Sequence, residues 1–116
     1  MKVSVFRVEK PNGNGPYAAD DADQNLYEHM NAVHGSADHP APEDDPMLEG
    51  INPDEHCGFA TLCDLENWFA GYEDILDECG YGISVYTVPL ALVRYGHNQA
   101  LFVRGDAVPI RRMSMS

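Results

Sequence analysis

The chain has 116 residues, 44% of them apolar, with a formal charge of -12 and a pI near 4.5. That length suits one domain with its own core, and the apolar content supplies material for it, which argues against a wholly disordered chain. The charge disfavours direct binding to nucleic acid or an anionic membrane, and neither a leader peptide nor an apolar run of about 20 residues is present, so a soluble cytoplasmic protein is expected.

Met1 to Glu9 reads as a strand, with Val3, Val5 and Arg7 on one face and Phe6 and Val8 on the other. Asn12-Gly13-Asn14-Gly15-Pro16 stops it with turn chemistry. From Asp20 to about Val33, Ala22, Leu26, Met30 and Val33 recur at helical spacing, and Asp20, Asp21 and Asp23 stand at the positive end of that helix. Gly35 ends it, and residues 35–57 read as one long acidic loop punctuated by Pro40, Pro42, Pro46 and Pro53.

The next segment is a helix with Thr61 as cap and Asp64 at the capping-box position. Its buried stripe is Leu62, Leu65, Trp68, Phe69 and Tyr72, with Trp68 as the core anchor. After Gly71, Glu73 to Cys79 is also helical, turns Ile75, Leu76 and Cys79 inward and ends at Gly80, so two helices or one kinked helix both fit. Beyond Gly82 the pattern turns to strands: Ile83–Val88, Leu90–Tyr95, Gln99–Val103 and Ala107–Met113. The expected fold is one α+β domain: a small mixed or antiparallel sheet, built from the N-terminal strand plus the C-terminal strands, with two or three helices packed on one face.

The charges are segregated. Between Pro11 and Val93 there is no Lys or Arg over 83 residues, yet this block holds 17 of the 19 carboxylates. Such a block is solvated, binds cations, or faces a positive partner, and the last reading makes its carboxylates, the capping-box Asp64 apart, candidate contact residues. They are Asp20, Asp21, Asp23 and Glu28 in the first helix, and Asp38, Glu43, Asp44, Asp45, Glu49, Asp54 and Glu55 in the loop. Glu66, Glu73, Asp74, Asp77 and Glu78 follow in the helical segment. Glu73 with Asp77 and Asp74 with Glu78 are like-charge i,i+4 pairs, each costing an isolated helix about 0.2 to 0.5 kcal/mol. Their spacing of about 5 to 6 Å is within the range that could imitate successive backbone phosphates.

Other chemistry finds less support. The spaced calcium loop is missing, and His29, His34, His39, His56, Cys57, Cys63 and Cys79 lack zinc-ligand spacing. Three cysteines in a chain without a leader are expected to be reduced, with Cys63 and Cys79 in the core. The Asn12–Pro16 glycines do not have the spacing of a phosphate or dinucleotide loop. No catalytic residue, metal or cofactor is therefore assigned.

Gly15-Pro16-Tyr17, His39-Pro40-Ala41-Pro42-Glu43-Asp44-Asp45, Cys57-Gly58-Phe59-Ala60-Thr61-Leu62 through Trp68-Phe69, Gly82-Ile83-Ser84-Val85-Tyr86 and Gln99-Ala100-Leu101-Phe102 resemble a group of small uncharacterised phage and prophage proteins. The resemblance spans most of the chain and implies a viral or mobile-element setting. By charge and size the chain looks like an acidic anti-CRISPR or other anti-defence protein. This implies a non-enzymatic inhibitor in the host cytoplasm, presenting its acidic face as a DNA mimic to the basic groove of a nucleic-acid-binding complex, with a CRISPR effector the suspected target. A second likeness, carried by Val5-Phe6-Arg7 and by the closing segments Gln99 to Val103 and Val108 to Arg112, is to the ADP-ribosyltransferase fold. It implies an enzyme modifying a host component, with Arg7 on a dinucleotide phosphate and Gln99 near the transfer site. A virion structural or assembly protein is the third expectation.

Overall fold

A computed structural model describes residues 1–11, 13, 54–96 and 99–115. The expected helix from Asp20 to Val33 and most of the proline-punctuated loop lie outside these residues. So do the candidate carboxylates Asp20, Asp21, Asp23, Glu28, Asp38, Glu43, Asp44, Asp45 and Glu49.

The described chain is strand-rich, with two small helices and two small antiparallel sheets. The first sheet joins β1 (Lys2–Glu9), β3 (Gly82–Pro89) and β6 (Val108–Ser114) in the order β1-β3-β6. The second joins β2 (Glu55–Gly58), β5 (Ala100–Val103) and β4 (Val93–Tyr95) in the order β2-β5-β4. One expected sheet is thus two, a correction that turns on Glu55-His56-Cys57-Gly58. This segment was expected at the end of the loop, and it instead pairs antiparallel with Ala100–Val103. Phe6 and Phe59 then link the sheets through a pair of backbone hydrogen bonds, 2.9 and 2.7 Å long.

Alternation along β1 feeds two cores. Phe6 and Val8 point to a cluster made with Phe59, Leu65, Trp68, Phe69, Leu76 and Ile83. Val3 and Val5 point the other way, to Tyr86, Val88, Val93, Ala100 and Phe102. The first cluster is the helix layer over the first sheet, and the second fills the space between the two sheets. Gly58 sits at their closest approach: a Cβ there would lie 2.6 Å from Val5 Cγ1 and 3.0 Å from the Phe6 carbonyl oxygen.

The helical segment forms two helices, α1 (Leu62–Trp68) and α2 (Glu73–Glu78). Thr61 caps α1 as expected, its hydroxyl accepting the Asp64 backbone N–H at 3.1 Å. Leu65, Trp68 and Phe69 are buried, with Leu62 and Tyr72 packed partly beneath them. Gly80 takes a φ of +90° after α2, where a residue with a Cβ would be strained.

Two inward assignments, Ile75 and Cys63, need correction. Leu76 fills the inward position of α2, so Ile75, one residue earlier, is rotated outward and is 43% exposed. Cys63 lies on the exposed side of α1 and accepts a hydrogen bond from Asn67, whereas Cys79 does turn inward, partly buried against the helix-layer core. Leu90–Leu92 forms a 3₁₀ turn before the short β4, where one strand from Leu90 to Tyr95 was expected. Its Leu90 N–H is drawn to the Met1 carbonyl oxygen at 2.9 Å. No described helix is long and apolar enough to cross a membrane.

Candidate functional site

Two charged regions stand out, on opposite sides of the first sheet. The helix layer carries the acidic one. Glu66, Asp74, Asp77 and Glu78 are exposed together with Asp64, and Glu73 is half-buried, its carboxylate accepting the Gly71 N–H at 2.9 Å. Ile75 of α2, next to Asp74 in the chain, is exposed as well. With no Lys or Arg between residues 11 and 93, cations to balance this face must come from other parts of the chain or from outside it. Asp77 does accept a long hydrogen bond, 3.4 Å, from the Ser114 hydroxyl of β6.

The loop candidates near β2 behave differently. Asp54 is exposed. Glu55 is drawn inward: its side chain keeps 4% of its accessible surface and accepts Arg94 Nε at 2.9 Å and Arg94 Nη2 at 2.7 Å. This fork-to-fork pair ties β2 to β4 across β5 and takes Glu55 out of any partner surface.

The second region lies at one end of the space between the sheets. Register places Arg7 of β1 opposite Ser84 of β3, and Ser84 opposite Arg112 of β6, so the three form a polar row across one sheet face. Beside them Glu9 is buried, 3% exposed. One carboxylate oxygen accepts Arg7 Nε at 2.9 Å, and the other accepts the Tyr86 hydroxyl. Arg7 also donates to the Cys57 carbonyl at 2.7 Å and the Gly13 carbonyl at 3.3 Å. Arg112 donates to Ser84 Oγ at 3.2 Å and to the Glu9 carbonyl at 3.0 Å.

From the second sheet, Phe102 pairs with His56, and Arg104 follows two residues later on the same face. The Arg104 guanidinium lies 4.7 Å above the Tyr86 ring, and its Nη2 is 3.9 Å from Glu9 Oε1. The field of this centre is visible in its titrating groups. Burial, then the hydrogen bond from its hydroxyl to Glu9, pushes the Tyr86 phenol up to about 12. Burial, then the positive charges of Arg7 and Arg104, holds His56 below the usual imidazole value.

Arg7 was expected only as a dinucleotide-phosphate ligand, and its donors are instead committed to Glu9 and to two backbone carbonyls. Gln99 accepts the Gly96 N–H through its carbonyl at 2.8 Å, which extends the β4–β5 ladder by one pair. Strand alternation then puts Gln99 on the Leu101 side of β5, away from Phe102 and Arg104. Arg7 and Gln99 are therefore not brought together. Glu9, Tyr86, Arg104 and Arg112 were not singled out as site residues. A signal was present: Arg7 and Glu9 in β1, like Ser84 and Tyr86 in β3, put polar groups on a face that is otherwise Val3, Val5 and Val88.

Among the described residues no group of three or more His, Cys, Asp or Glu side chains could hold a metal ion. These features define a small strand-rich α+β protein with a carboxylate-centred arginine cluster between its sheets and an acidic helix layer. The family model described as bacteriophage T4 Y00F protein matches residues 1–116, and the chain belongs to that family. Neither a curated protein nor a solved structure matches it.

Proposed function

We propose that this phage protein is a non-enzymatic anti-defence inhibitor that docks its acidic helix layer on a basic, nucleic-acid-binding surface of a host complex, with a CRISPR effector as the target class. The observation that carries this reading is the set of exposed carboxylates on the two helices, Asp64 and Glu66 on α1 and Asp74, Asp77 and Glu78 on α2, together with the exposed Ile75 of α2. Carboxylates there take the place of phosphates at Lys and Arg side chains, speeding encounter and excluding DNA. Ile75, next to Asp74 in α2, supplies an apolar contact, the part of an interface that governs residence time.

The test is a tagged pull-down from host cells, followed by binding measurements with the captured complex. Charge reversal of Asp74 and Asp77 to Lys is expected to weaken binding at least tenfold, and Ile75→Ala to raise the dissociation rate. Affinity should also fall steeply between low and physiological salt. Salt-insensitive binding that survives both changes would sink the proposal.

A further inference from the structure

We propose that the open end of the inter-sheet centre binds a phosphate dianion carried by a small ligand, with Arg104 as the principal donor. The inference is independent of the acidic helix layer, which lies on the other side of the first sheet.

Charge balance is the first argument. Arg7, Arg104 and Arg112 converge on a centre whose one described carboxylate is Glu9. Arg7 and Arg112 direct most of their donors to the carbonyl oxygens of Cys57, Gly13 and Glu9 and to the Ser84 hydroxyl. Those neutral acceptors satisfy hydrogen bonds and leave the cationic charge in place. That excess of cations adds to burial, the larger cause, in lowering the His56 pKa.

Donor availability is the second. Among the described residues the Arg104 guanidinium makes no hydrogen bond, and its one ion pair is the 3.9 Å approach to Glu9. Its side chain keeps 35% of its accessible surface, against 12% for Arg7, so its donors reach solvent where those of Arg7 do not. The fork is nonetheless held in place, because the guanidinium rests on the Tyr86 ring and Tyr86 is itself fixed by its bond to Glu9. A planar fork whose donors make no hydrogen bond to the described residues, in a centre where three arginines meet one described carboxylate, matches phosphate in geometry. A phosphate monoester carries about 1.5 to 2 negative charges near neutral pH, which answers that excess better than one carboxylate does. The chain as a whole repels anions, with its charge of -12, so saturable anion binding here reports a local site.

Calorimetric titration of the full chain with inorganic phosphate and with pyrophosphate, at constant ionic strength, tests this directly. Saturable binding at one site is expected, stronger for pyrophosphate. Arg104→Gln should weaken it at least tenfold and Arg104→Lys, which keeps the charge but loses the fork, by less. Arg111→Gln, which removes an exposed arginine of β6, should leave the affinity unchanged. No saturable binding, or wild-type affinity in an Arg104→Gln protein whose circular dichroism is native, would overturn the site; so would an equal loss in Arg111→Gln.

Discussion

The acidic helix layer and the arginine centre lie on the two faces of one sheet, yet they handle charge in opposite ways. Between the sheets the buried charges are bound individually: Glu9 by Arg7 and Tyr86, and Arg7 by Glu9 and two backbone carbonyls. On α1 and α2 the carboxylates stand in water, beside others of the same sign. Burial explains the difference. A charge removed from water requires partners of good geometry, whereas a solvated charge is screened and tolerates like neighbours at small cost. A charge count taken from composition therefore says little about where interaction energy resides.

The largest test of that contrast is Glu9→Ala. Removing the carboxylate leaves Arg7 buried without its counter-charge and Tyr86 without an acceptor, and urea unfolding should show a loss of about 3 to 5 kcal/mol. A loss below about 1 kcal/mol, the range of an exposed pair, would erase the distinction between the two regions. Gly58→Ala comes next. Its Cβ would press on Val5 and on the Phe6 backbone where the sheets join, and overpacking of this kind costs about 1 to 3 kcal/mol.

His56 sharpens the comparison through pH. Its folded pKa lies below the unfolded 6.5, so the unfolded chain binds the proton first as pH falls. Its contribution to stability is complete above pH 6.5 and is lost as pH drops from there through the folded value. Urea midpoints should decline across that window in the wild type and less in His56→Gln; parallel declines would remove His56 from the positive field. The smallest effect belongs to the acidic face. Glu78→Lys replaces a like-charge pair with Asp74 by an attractive one, at the helix end where a cation is favoured. It should stabilise the protein by about 0.2 to 0.5 kcal/mol, with no gain expected at high salt.

Local signals in the sequence carried much of the fold. Alternation marked β1, with Phe6 and Val8 opposed to Val3 and Val5, and Thr61 and Gly80 announced their helix boundaries. What stayed hidden depended on distant pairing. Glu55-His56-Cys57-Gly58 is short and has little strand propensity, and it becomes a strand because Ala100–Val103 offers it a ladder. Glu55 for the same reason read as one more loop acid, its partner Arg94 being 39 residues away. The bond between Tyr86 and Glu9 spans 77 residues, and no local rule anticipates it. Ile75 was misplaced by one helical position, a small rotational error that moved an apolar side chain from the core to the candidate docking face.

The first sheet acts as a partition wall shared by both cores, and this governs how the molecule can come apart. Val5 and Val8, three residues apart in β1, belong to different clusters, and β3 contributes Ile83 to one and Tyr86 and Val88 to the other. Neither compartment can open without exposing a strand that the other also needs, so partial unfolding there is coupled. Peptide hydrogens of the central β3 should consequently exchange with deuterium only through complete unfolding, while those of α2 and β6 exchange through smaller, local openings.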